Sequence, residues 1–236
     1  MKIVQKSSPN QSKNSRTYRD IKFVIIHYTG MQSEIESIKR LTNPKSKVSC
    51  HYLINRNGRV IQLVKDTCVA WHAGKSKWKK FINLNNNSLG IELVNKGHEY
   101  GYQNFSNKQI KSLIKLCKKL KKKYFIKKEN FLGHSDIAPL RKNDPGEKFP
   151  WESLSNHNIG RWYKKRSNHN LVILKKKIET QFFKNLNKIG YCYFSINKRN
   201  SDDKKIIKSF QRHYLPSNVT GRLDQKTFII SHFLTL

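Results

Sequence analysis

Between Lys22 and His27 the chain reads KFVIIH, a run of Phe23, Val24, Ile25 and Ile26 closed by a histidine. A half-exposed strand would alternate apolar with polar residues. An unbroken apolar, β-branched run marks a strand covered on both faces. This chain must therefore build a sheet with a layer of structure on each side.

The neighbouring segments fit that demand. Ser33–Leu41 reads as a short helix. Val48–Ile54 (VSCHYLI) and Arg59–Val64 (RVIQLV) read as strands, joined through Asn55-Arg56-Asn57-Gly58, whose Asn-Gly pair suits a hairpin. Ala70–Gly74 (AWHAG) is a loop. Ser88–Val94 (SLGIELV) is a further strand with one acidic residue, Glu92, in an otherwise apolar run. Ser106 and Gln109 form a capping box that opens a helix with Ile110, Leu113, Ile114, Cys117 and Leu120 on one face and lysines on the other. Interleaved strands and helices predict an α/β domain.

The composition shifts after Trp151. A basic, polar stretch around Ile159–His169 reads as a linker. Leu171, Leu174, Ile178, Phe182, Leu186 and Ile189 then give a helical stripe ending at Gly190. A second helix, capped by Ser201 or Asp202, carries Ile206, Ile207 and Phe210. A third, capped by Asp224, carries Phe228, Ile229 and Phe233. The predicted organisation is a flexible lead-in over residues 1–20, a catalytic domain over 21–155, a linker over 156–170 and a three-helix domain over 171–236.

The net charge is +33, carried mainly by lysine. It fits either a solvated basic surface or an attraction to polyanions. Nucleic acid is not the expected partner, because the lysines are scattered and no nucleic-acid motif accompanies them. Cys50, Cys68, Cys117 and Cys192 form no CxxC pair, so no disulfide framework is expected. No run is apolar for long enough to span a membrane. The polar segment Met1–Arg19 lacks the apolar stretch of a secretory signal, which would suit the cytoplasm.

The chemistry gathers in Gly133–Gly146 (GHSDIAPLRKNDPG), where Pro139 and Pro145 rule out a regular helix or a central strand. His134 and Asp144 are candidate ligands for a divalent metal, and His27 is a third. Two imidazoles and a carboxylate, with a fourth position left to water, suit a hydrolytic zinc site. Zinc lowers the pKa of bound water to about 7. Glu92 is the candidate general base, and Lys142 or Arg141 the candidate cation for an oxyanion. His51 and His72 compete as ligands. Trp71, His72, Ala73 and Arg141 are candidates for contacting substrate, with core packing the other reading of Trp71.

Five blocks stand in order: FVIIHYTG (Phe23–Gly30), VSCHYLINRNG (Val48–Gly58), AWHAG, SLGIELVN (Ser88–Asn95) and GHSDIAPLRKNDPG. In these the chain resembles the zinc-dependent N-acetylmuramoyl-L-alanine amidases of type 2, the AmpD and AmiD branch. The resemblance covers about residues 20–155. It implies a mixed central β-sheet flanked by helices, with one Zn2+ in a surface groove at His27, His134 and Asp144. It implies Glu92 as catalytic base and Lys142 as transition-state stabiliser. The implied reaction cleaves the amide between N-acetylmuramic acid, its 1,6-anhydro form included, and L-alanine of peptidoglycan stem peptides. Non-catalytic recognition relatives typically lose a zinc ligand, and all three positions stand here. Leu140 replaces a common Gly, and Cys50 a small residue. Residues 171–236 are similar to the helical peptidoglycan-binding domain of the AmiD branch, through IGY (Ile189–Tyr191), SFQRHYLP (Ser209–Pro216) and VTGRLDQKT (Val219–Thr227). That appended domain favours work at the bacterial cell envelope, periplasmic or secreted.

Overall fold

At the centre of the computed structural model, which describes residues 2–164 and 178–236, lies a six-stranded sheet. In chain order the elements begin with β1 (Ile3–Gln5), β2 (Gln11–Ser15), β3 (Phe23–Tyr28), α1 (Glu34–Thr42), β4 (Tyr52–Ile54) and β5 (Val60–Gln62). They continue with β6 (Cys68–Ala70), β7 (Lys77–Trp78), β8 (Phe81–Ile82), β9 (Ser88–Leu93), α2 (Asn107–Tyr124) and β10 (Phe131–Gly133). The last are α3 (His134–Ile137), α4 (Trp151–Ser155), α5 (Ile178–Ile189), α6 (Asp203–Tyr214) and α7 (Gln225–Phe233). The central sheet runs β1-β5-β4-β9-β3-β10, and only the β4–β5 hairpin within it is antiparallel. The mixed α/β architecture read from the sequence is the one observed.

Strand periodicity divides the core in two, because successive side chains leave opposite faces of a sheet. Val24 and Ile26 of β3, with Leu89, Ile91 and Leu93 of β9, pack with Leu113, Leu116, Cys117 and Leu120 of α2. Phe23 and Ile25 leave the other face. They join Leu132, Trp78 and the residues Phe182, Leu186, Phe210 and Phe228 of α5, α6 and α7. Further along that second face, Leu53 and Ile61 pack with Leu41 of α1 and with Cys50. Two apolar patches thus flank β9, whose residues on this side are Ser88, Gly90 and Glu92. The row is too small and polar to join either patch, and it becomes the floor of a groove.

Several expectations need correction. Residues 1–20 do not form a free lead-in. β1 adds to the sheet beside β5, and β2 pairs with β6. The polar residues that suggested flexibility bind backbone carbonyls. Ser8 donates to Leu41 O at 2.5 Å, and Asn10 Nδ2 donates to Val48 O at 2.8 Å. The described part of the expected linker, 156–164, is anchored too, with Ile159 fully buried and Gly160 N–H bonded to Lys128 O. Leu171 and Leu174 lie outside the described residues. Only half of the capping box forms. Ser106 accepts from Gln109 N–H, but the Gln109 side chain donates to Ile54 O and Val94 O at the ends of β4 and β9. Residues 134–137 make a single helical turn ahead of Pro139. Three helices follow as expected, but they share a core with the sheet. All four cysteines are free thiols.

Candidate active site

His27 and Glu92 are register partners on the adjacent parallel strands β3 and β9, so their side chains leave the same face side by side. Gly133 pairs with Ile26 at the end of β10, which puts His134 one step on, level with His27. Three residues from segments far apart in sequence therefore meet at the carboxyl ends of neighbouring parallel strands, where open α/β sheets place their ligands. The 134–146 loop folds back over this point, held by Ser135 N–H to Asp144 O at 2.8 Å. Gly133 is obligatory there, since a Cβ would stand 2.7 Å from Pro145 Cδ.

That return brings Asp144 to the two histidines. His27 Nδ1 and His134 Nδ1 are 3.0 Å apart, and Asp144 Oδ2 lies 2.9 and 3.1 Å from them. All three residues are buried. His134 Nε2 is 3.1 Å from Ala73 O, which can only accept. Arg141 Nη2, which can only donate, stands 3.3 Å from the same Nε2, and Asp144 Oδ2 accepts at Nδ1, so either tautomer finds partners, and the Nε2–H form is the one that frees Nδ1 for a metal. Burial, with His134 adding to it, lowers the His27 pKa to about 4, so this ring is neutral. Burial alone would raise the Asp144 carboxyl, but the two imidazoles outweigh it and hold it well below the usual carboxylate range. Ligand atoms in a triangle about 3 Å on a side, two imidazole nitrogens and one carboxylate oxygen, make a group that could hold a metal ion.

Glu92 is only half-buried, yet its Oε2 is shut off from water and has no hydrogen-bond partner. Burial, helped by Asp144 and opposed by Lys142, raises its pKa to about 8. Lys142 lines the same groove.

The other expected site residues divide. Trp71 lines the groove, with its Nε1–H on Ser12 Oγ at 3.1 Å. Ala73 is fully buried and contributes its carbonyl to His134. Arg141 borders the groove, but its guanidinium is engaged by Ala73 O and by Lys75 O, the latter at 2.8 Å. It ties two loops together, which separates it from the role open to Lys142. His72 also borders the groove, but both of its ring nitrogens are taken up inside the protein, by His27 and by Ser88. His51 stays out of the ligand group, because its Nδ1 accepts from Gly90 N–H and its Nε2 meets Cys68 O.

Sequence reasoning missed Ser88 and Asp136. A serine opening an apolar strand gives no chemical signal. Asp136 faces away from the group and accepts from Gly133 N–H, Tyr191 O–H and His213 Nδ1 at 2.6–2.7 Å. Two of those partners, Tyr191 and His213, come from the chain beyond residue 190, and nothing local announces them.

Fold and site together define an α/β protein whose surface groove carries a His-His-Asp group beside a half-buried glutamate. The chain belongs to the N-acetylmuramoyl-L-alanine amidase family, whose family model (Amidase_2) matches residues 17–147. It is similar to N-acetylmuramoyl-L-alanine amidase AmiD of Escherichia coli, 34% identical over 92% of this chain and 83% of the relative. It also resembles 1,6-anhydro-N-acetylmuramyl-L-alanine amidase AmpD of Haemophilus influenzae, 34% identical over 63% of this chain and 88% of that protein. Among solved structures, E. coli AmiD in complex with anhydro-N-acetylmuramic acid-L-Ala-D-gamma-Glu-L-Lys superposes with a TM-score of 0.78 at 32% identity. That match covers 95% of this chain and 91% of that one. AmpDh3 of Pseudomonas aeruginosa, in complex with anhydromuramic pentapeptide, gives a TM-score of 0.81 at 28% identity over 94% and 92%. The chain is an amidase of this family.

Proposed function

We propose that this amidase holds one zinc ion at His27, His134 and Asp144 and cleaves the bond between N-acetylmuramic acid and the L-alanine of peptidoglycan stem peptides. The 1,6-anhydro form is included among its substrates. The observation that carries this reading is the triangle of ligand atoms, with Ala73 O set beside His134 Nε2. Zinc suits this donor set, and when bound it supplies Lewis acidity toward water and the amide carbonyl. The substrate assignment is supported by the muropeptides bound in the relatives' structures.

The remaining chemistry belongs to the chain's own groups. Glu92 takes a proton from the attacking water and returns it to the leaving alanine amine. Burial favours the protonated form of this carboxyl, which suits a group that must take up the proton and hand it on. Lys142 holds the developing oxyanion with its ammonium. Residues 21–155 would carry this chemistry and 171–236 would seat the wall polymer, which suits work at the cell envelope. No helix among the described residues is long and apolar enough to cross a membrane.

Two measurements test the reading. Incubation with sacculi and with anhydro-muropeptides is expected to release stem peptide with a free L-alanine amine, seen by mass spectrometry. Binding without release would instead make the chain a recognition protein. Glu92→Ala is expected to lower turnover by about a hundredfold or more with zinc content unchanged. His134→Ala and Asp144→Ala are expected to lose the metal itself, and unchanged stoichiometry in both would refute the ligand set.

A further inference from the structure

Behind His27, on the side away from His134, a chain of side chains leads back to a single backbone carbonyl. Leu84 O can only accept a hydrogen bond, so the Ser88 hydroxyl, 2.5 Å away, donates to it. With its proton committed, Ser88 Oγ can only accept from His72 Nε2, 3.3 Å away. A neutral His72 protonated on Nε2 has a bare Nδ1, and this atom faces His27 Nε2 at 3.1 Å. Asp144 Oδ2, 2.9 Å from Nδ1, competes for the single proton of a neutral His27, and a metal ion taking up Nδ1 leaves that proton on Nε2 of His27, where His72 accepts it. Nδ1 is the atom turned toward His134 and Asp144.

The ring of His72 is built into place. Asn85 Oδ1 accepts from the backbone N–H of His72 at 3.1 Å and of Ala73 at 2.7 Å. Gly90 supplies the floor, since a Cβ there would stand 2.4 Å from His72 Cγ. Ser88 and Gly90 leave the same face of β9 as Glu92, so one strand bears both the candidate base and the support for His72.

We propose that His72 and Ser88 are positioning residues for the metal group: they fix His27 as its Nε2–H tautomer and aim its bare Nδ1 at the site. The inference rests on the ligand set proposed above. His27 and His134 are then matched, each held by a hydrogen bond on Nε2 and each presenting Nδ1. Partners of this kind tune metal affinity by roughly 10–100-fold.

The test reads zinc affinity and tautomer, apart from activity. In the zinc-loaded protein, long-range 1H–15N spectra of the imidazoles are expected to show His27 protonated on Nε2. His72→Phe removes the acceptor and is expected to weaken zinc binding, by competition with a chromophoric chelator, by roughly 10–100-fold. His72→Asn puts an amide oxygen near the Nδ1 position and is expected to restore most of that loss. Ser88→Ala, a small change compatible with the strand, is expected to lose affinity in the same direction while its circular dichroism spectrum matches the parent's. Wild-type affinity in both His72→Phe and Ser88→Ala, or a His27 proton found on Nδ1, would overturn the proposal. If His134→Ala and Asp144→Ala also kept zinc, the ligand set itself would fall. If those two lost zinc and the relay variants did not, only the relay would fall.

Discussion

At the scale of single residues, the candidate site is a set of groups that are costly to bury, placed where each has a partner or a task. Glu92 is the exposed nerve of this arrangement. Its carboxyl pKa is raised from 4.5 to about 8, so in the zinc-free protein the folded state keeps a proton that the unfolded chain gives up. Above pH 4.5 the folded state binds more protons at this group, and its contribution to stability falls as pH rises toward about 8. Zinc-free Glu92→Gln is therefore expected to gain on the parent protein across that window, read as the difference between their urea midpoints at pH 5 and pH 8. Parallel midpoints would show that Glu92 is not held in its neutral form. The sequence made Glu92 and His27 visible, because each is the odd residue in an apolar strand. It could not show that they are register partners, since pairing of β3 with β9 is a long-range choice.

At the scale of elements, the helical turn α3 is clamped between the metal group and the C-terminal helices. His134 leaves it toward the group, while Asp136 is held from behind by Tyr191 and His213. Ser209 of α6 adds a bond to Ser135 O at 2.7 Å, and the His213 ring stacks on Trp151 at 4.0 Å. Tyr191→Phe leaves Asp136 Oδ1 without its O–H partner in a buried place. It is expected to cost about 1–3 kcal/mol, seen as a lowered urea midpoint, and an unchanged midpoint would show that this clamp contributes nothing. On the opposite wall, Gly90→Ala forces its new methyl into the His72 ring and is expected to lower the thermal midpoint at a cost of about 1–3 kcal/mol. The longer elements β3, β9, α1, α2, α5, α6 and α7 and the β4–β5 hairpin were legible from periodicity, caps and turn residues. The exceptions are the short elements β1, β2, β6, β7, β8, β10, α3 and α4 and the packed segment 156–164, which are too brief to show a period and are ordered by bonds to distant backbone.

For the molecule as a whole, one core cluster joins α5, α6 and α7 to the sheet. Shared apolar surface couples these parts, so urea unfolding is expected as one transition, with tryptophan fluorescence and far-ultraviolet circular dichroism coinciding. Two separated transitions would mean that the helices fold independently. The charge of +33 also acts at this scale. If it draws the enzyme to anionic wall polymer, association with sacculi is expected to weaken as salt rises past about 0.1 M, where the screening length drops below about 10 Å. Association insensitive to salt would leave the lysines as solvated surface. By itself the sequence determined the α/β class, the apolar strands, the helical C-terminal part and the residue types of the site, because these are local patterns or motifs read in order. The tertiary structure alone decided that His27, His134 and Asp144 meet within hydrogen-bonding distance and that Arg141 is spent on carbonyls while Lys142 lines the groove. It also set both ring nitrogens of His72 against His27 and Ser88 at the border of the groove. Each of these depends on which strands pair and where loops return, and no local pattern encodes that.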